Sequence, residues 1–111
     1  MRIDIERVKQ WISENLEELT KPEDVAKHFQ VSLHKLRAEF SWSCGTPLSR
    51  YIRTEKIKKA AELIGTSSLR WFEIVARLHL GRPENASRLF KRQVGITVRD
   101  YERSCGRHRA Q

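Results

Sequence analysis

Residues 25–51 read VAKHFQVSLHKLRAEFSWSCGTPLSRY, and residues 75–101 read VARLHLGRPENASRLFKRQVGITVRDY. At a shift of 50, Val25-Ala26 meets Val75-Ala76, Phe40 meets Phe90, Gly45 meets Gly95 and Tyr51 meets Tyr101. In both stretches the Ala-to-Phe step is 14 residues, the Phe-to-Gly step 5 and the Gly-to-Tyr step 6. Several matches held in one register point to a tandem duplication of a single structural unit. Within the unit, apolar residues recur at helical rather than alternating spacing, with a short break in the middle and glycine at the end.

Working outward, Ile5, Val8, Ile12, Leu16 and Leu19 fall on one face of a leading helix, with Trp11 beside them. Thr20-Lys21-Pro22-Glu23 reads as the next start, with Thr20 as cap, Pro22 in the first turn and Glu23 as capping-box partner. Ser32 caps a further helix carrying Leu36 and Phe40, which ends by Gly45. From Thr46-Pro47, a longer helix has the apolar stripe Leu48, Tyr51, Ile52, Ile57, Ala60, Ala61 and Ile64, with Gly65 as its stop. Helix resumes through Phe72, Val75 and Ala76, breaks around Gly81-Arg82-Pro83, and returns through Leu89 and Phe90 to Gly95. A last short helix holds Val98 and Tyr101.

The expected fold is all-α, with about seven helices. Residues 1–46 form one unit, 47–65 a linker helix, 66–105 a second unit and 106–111 a basic tail. Each unit is a helix-turn-helix of homeodomain-like kind, whose second helix can lie in a DNA major groove. Ala26 and Ala76 stand where the paired helices need a small residue to cross. Leu36 and Phe40 anchor the second helix of unit one, and Phe90 with Leu89 or Ala86 that of unit two.

Charge supports a polyanionic partner. The chain of 111 residues carries 22 Lys plus Arg against 14 Asp plus Glu, a net of +8. The excess is uneven: residues 1–30 sum to −2 and the remainder to +10. Lys or Arg near a phosphate releases condensed counterions, which favours nucleic acid over a neutral partner. Hydrophobic residues at 39% and charged residues at 32% fit a folded globular chain. No apolar run reaches membrane-spanning length, and the amino terminus lacks the apolar core of a signal peptide. Cys44 and Cys105 form no C-x-x-C pair and read as reduced thiols of a cytoplasmic protein. His28, His34, His79 and His108 lack metal spacing, and neither a phosphate-binding glycine loop nor a catalytic triad is visible. The expectation is therefore no enzyme, no metal and no cofactor.

The run from Ala26 through Ser32, Leu36, Phe40, Gly45, Tyr51-Ile52, Lys56-Ile57, Ala60 and Leu63-Ile64 resembles the AraC/XylS family of transcription regulators. FKRQVGITVRDY from Phe90 looks like that family's carboxyl-terminal signature. The resemblance spans nearly the whole chain, and no small-molecule effector site is evident in it. It implies a bacterial, nucleoid-associated regulator that binds double-stranded DNA, with RNA polymerase as a further partner. It also implies that His34 and Arg37 read bases in the first unit, and Glu84, Asn85, Ser87 and Arg88 in the second. The chemistry of these side chains suits base edges, since Arg bonds two acceptors on guanine, Asn suits adenine, and Glu accepts from cytosine. Phosphate contacts are expected from Lys35, Thr46, Arg50, Lys91, Arg92 and Arg99. Three features depart from the family: the break at Leu80-Gly81-Arg82-Pro83, Ala86 in place of an aromatic, and Val98 in place of Pro.

A linker helix of about 18 residues would span roughly 27 Å, against about 34 Å for one duplex turn. A monomer would then read adjacent major-groove segments of an asymmetric site, and five inserted base pairs would abolish joint binding. The competing expectation is a protein-interaction module that holds RNA polymerase or another regulator through the same helices.

Overall fold

The computed structural model describes residues 3–19 and 21–106. Thr20, and residues 107–111 of the basic tail with His108 among them, lie outside the described residues. Among those described there are seven helices and no strand: α1 (Ile5–Glu14), α2 (Pro22–Phe29), α3 (Leu33–Cys44), α4 (Leu48–Thr66), α5 (Trp71–Arg77), α6 (Pro83–Val94) and α7 (Val98–Ser104). They divide into two compact units, residues 1–55 and residues 56–111.

In unit one, the Asp4 carboxylate accepts the Arg7 N–H at 3.3 Å and starts α1. The helix stops at Glu14, short of the expected length. Asn15 ends it by donating its N–H to the Ile12 carbonyl and its side-chain amide to the Trp11 carbonyl at 2.8 Å. Leu16 and Leu19 are therefore not on α1, yet the turn that follows still buries both. The capping box of α2 also differs from expectation. Lys21 is the cap residue, and its N–H donates to the Asp24 carboxylate at 3.2 Å, so Asp24 takes the place expected for Glu23. The buried set of this unit is Ile5, Val8, Ile12, Leu16, Leu19, Val25, Ala26, Leu36, Phe40, Leu48 and Ile52. Phe40 packs edge-on to Tyr51, with ring centroids 5.1 Å apart.

Unit two repeats the pattern with a shift that changes part-way. Arg70 caps α5, its N–H donating to Glu73 at 2.7 Å, which matches Lys21 and Asp24 at a shift of 49, not 50. His79 is left-handed at φ 53°, matching Gln30 at φ 56°, again 49 residues earlier. The Leu80 N–H bonds the Val75 carbonyl just as the Val31 N–H bonds Ala26. Beyond the break the shift returns to 50, so Gly81 is an extra residue. The position of Ala26 is thus taken by Val75, which is buried, whereas Ala76 is exposed and marks no helix crossing. Phe72, in the first turn of α5, is 58% exposed. The core here is Ile57, Ala60, Ile64, Ile74, Val75, Leu78, Ala86 and Phe90. Trp71 and Tyr101 both stand edge-on to Phe90, each 5.5 Å away.

Helix α4 continues past Gly65, which has an ordinary helical backbone, to Thr66. At its end the Thr66 hydroxyl donates to the Glu62 carbonyl at 2.8 Å and the Ser67 hydroxyl to the Leu63 carbonyl at 2.7 Å.

Candidate nucleic-acid interface

Helix α3 is held by its apolar side and open on the other. The Ser32 hydroxyl oxygen accepts the Lys35 N–H at 3.0 Å, supplying one of the bonds a first turn lacks. Leu36 and Phe40 are fully buried, one turn apart. That fixes the rotation of the helix, because a residue one step round from Leu36 must leave the core by about 100°. His34, Lys35, Arg37 and Ala38 are all exposed. Gly45 closes the helix in the left-handed region at φ 73°. Lys35 is partly engaged, its ammonium 4.0 Å from Glu39, and the Glu39 carboxylate accepts the Ile3 N–H at 3.2 Å.

Helix α6 has the same construction with different anchors. Ala86 and Phe90 are fully buried, which selects Ala86 over Leu89 as the inward partner. Glu84, Asn85 and Arg88 are exposed, and Lys91 and Arg92 follow on the next turn, also exposed. Ser87 is half-buried, and its hydroxyl donates to the Pro83 carbonyl at 2.8 Å. Of the four expected base readers in this unit, Ser87 is therefore the one whose proton is already committed. The Trp71 indole N–H donates to the same Pro83 carbonyl at 3.1 Å, tying the start of α5 to the first turn of α6. No periodic signal in the sequence marks that tie, since Trp71 is paired by geometry across the break.

The remaining phosphate candidates sit around these helices. Arg50 and Arg99 are exposed, and Thr46 is half-buried in the turn before α4. The cap of α7 is Thr97, whose hydroxyl oxygen accepts the Asp100 N–H at 3.1 Å. Beside α6 lies an open groove of about 670 Å³, with Trp71, Phe72 and Val98 as apolar lining and Arg70, Arg88, Lys91 and Arg99 as its cations. A second groove of about 610 Å³ in unit one includes Arg7, His28, Gln30 and Lys35. Spacing alone assigns no site role to Arg70 or Phe72. The same holds for Trp42, on the carboxyl half of α3, which is 90% exposed.

Two tyrosines buttress the anchors from below. Burial pushes the Tyr51 hydroxyl above its ordinary value of 10.0, with Glu55, Cys44 and Glu6 adding to the shift. Burial and then Cys105 raise Tyr101 likewise. Both rings therefore stay neutral under physiological conditions. Neither Cys44 nor Cys105 is in a disulfide. Among the described residues, no cluster of three His, Cys, Asp or Glu could hold a metal ion.

Two helix-break-helix units, each showing the polar side of its second helix to solvent, define a double helix-turn-helix protein. No family model matches the chain. It is 34% identical over 88 residues to the uncharacterized HTH-type transcriptional regulator YfiF of Bacillus subtilis (strain 168), covering 79% of this chain and 28% of that one. It is 28% identical over 100 residues to the HTH-type transcriptional activator AarP of Providencia stuartii, covering 90% of this chain and 74% of the relative. The chain spans less than half the length of the first two regulators it matches, 41% and 28%. Among solved structures, it aligns with an AraC-type DNA-binding-domain protein of Chromobacterium violaceum at a TM-score of 0.81 and 21% identity, covering 91% of this chain and 90% of that one. The DNA-binding domain of AdpA, in complex with a target DNA, aligns at 0.79 and 23% identity, covering 90% of each. The chain is a homologue of the HTH-type transcriptional regulators and has the AraC-type double helix-turn-helix fold.

Proposed function

We propose that this chain is a sequence-specific DNA-binding transcription regulator, with α3 and α6 reading adjacent major-groove segments of a duplex. The observation that carries the reading is the repeated rotation of the two helices. Each buries a pair of anchors one turn apart, Leu36 and Phe40 or Ala86 and Phe90, and each thereby turns an Arg outward. A net charge of +10 beyond residue 30 supplies the attraction to phosphate. Arg37, His34, Glu84, Asn85 and Arg88 are assigned to base edges, with Ser87 limited to accepting a bond. Lys35, Thr46, Arg50, Lys91, Arg92 and Arg99 are assigned to phosphates. The AdpA domain, held on its target DNA, has the same fold, which favours this use of the surface.

One chain carries two reading helices, so a monomer suffices and its site is asymmetric. RNA polymerase is assigned as a second partner, in line with the activator AarP among the relatives. Among the described residues, no helix is long and apolar enough to cross a membrane. A protein-interaction module is the competing reading, favoured by the exposure of Phe72 at 58% and Ile96 at 38%. Selection from a pool of random duplexes separates the two. Enrichment of one motif supports base reading, and an unenriched pool removes it.

A further inference from the structure

We infer that Trp42 extends the DNA-contacting face of α3 beyond its base readers, laying its indole against the sugar–phosphate wall of the groove. The inference rests on the proposed DNA binding and adds to it a residue and a mode of contact. Trp42 is 90% exposed, the most exposed of the large hydrophobic side chains among the described residues. A lone surface aromatic needs no explanation by itself. Its position supplies one.

Trp42 follows Ala38 by four residues and His34 by eight, so it is turned about 40° and 80° from them. Leu36 and Phe40 are buried, and His34, Ala38 and Trp42 therefore form one ridge on the opposite side of the helix. The ridge is continuous with the face assigned to base reading. From His34 to Trp42 the axis rises about 12 Å, which is about the width of the major groove. With the first turns at the bases, the last turn of α3 comes to the groove wall. There the chemistry is a phosphate oxygen beside the apolar face of a deoxyribose. An indole matches both, through its N–H donor and its ring.

The duplication gives an independent check on the position. At the shift of 50 that holds beyond the break, Trp42 corresponds to Arg92, which is also exposed. The two units thus place an indole and a guanidinium at the same point of the same helix, and both can donate to phosphate.

The test uses the whole chain and a duplex selected from random sequence. Binding is measured for wild type, Trp42→Ala, Trp42→Phe and Trp42→Arg, with melting to verify that each folds. Trp42→Ala should bind about tenfold more weakly, equal to about 1.4 kcal/mol. Trp42→Arg should bind within about threefold of wild type and steepen the slope of log affinity against log salt by about 0.9. Duplex should also shift the wild-type tryptophan emission, and Trp42→Phe should lose most of that shift. Trp11, stacked on His28 at 4.4 Å, and Trp71, bonded to Pro83, report from half-buried sites and supply the background. Undiminished binding by Trp42→Ala, or a Trp42 signal that responds to RNA polymerase and not to duplex, overturns the inference while leaving DNA binding intact. A wild-type chain that selects no duplex overturns both.

Discussion

Arg37 follows the fully buried Leu36 by a single residue, and that step alone carries its guanidinium out of the core. Lys91 follows the fully buried Phe90 in the same way, but lies on the later turns of α6, away from the residues proposed to read bases. The two cations are expected to fail differently. Arg37→Ala should cost about 1–3 kcal/mol on the best site and relax preference at one or two base pairs. Lys91→Ala should weaken every sequence alike. Repeating the selection with each variant checks this, and an unchanged motif for Arg37→Ala would mean that α3 is turned the wrong way. At this scale the sequence is most legible where burial is decisive. Leu36, Phe40 and Phe90 are identifiable from spacing alone, because a helix can bury only one side in so small a unit. Ala76 misleads because a small apolar residue fits a crossing or an exposed helix equally well. Ser87 is only partly legible, since a bond to the Pro83 carbonyl leaves no mark in spacing.

At the scale of elements, caps and anchors decide the outcome. Phe40 and Phe90 hold equivalent places, and both rings have no exposed surface. Either one changed to Ala should destabilise its unit by about 3–5 kcal/mol. Thermal melting of the two variants tests this, and a negligible loss at either position would contradict the anchor role. The breaks between helices offer the opposite opportunity. Gln30 and His79 adopt positive φ without being glycine, a conformation that strains a residue with a Cβ. Gln30→Gly should therefore raise stability by roughly 0.5–1 kcal/mol, relief of strain outweighing the added freedom of the unfolded chain. A lower melting temperature would refute that balance. The same feature explains why spacing and composition put the second break too late. Gly81 does turn the chain, at φ 85°, but His79 is already left-handed at φ 53° two residues earlier, so the break opens before the glycine. Gly65 misleads because it keeps a helical backbone and α4 runs one residue past it, to Thr66. Asn15 ends α1 through side-chain bonding, while Leu16 and Leu19 stay buried because the turn feeds them into the same core.

For the whole molecule, duplication and charge are what the sequence states most clearly. The repeat sets the number of units, and their helices follow from apolar spacing within each. What the repeat conceals is its own change of register, from 49 to 50 across an extra Gly81, because two chance matches at Val75-Ala76 fill the gap. A polyanionic duplex is the proposed partner of this surface. About six to eight neutralised phosphates, drawn from the exposed cations around α3 and α6, would release a corresponding number of counterions. The most direct measurement is titration of a selected duplex with the chain at several salt concentrations. Log affinity should fall against log salt with a slope of about −5 to −7. An affinity that stays flat as salt rises would contradict DNA as the partner and leave a hydrophobic protein interface in its place.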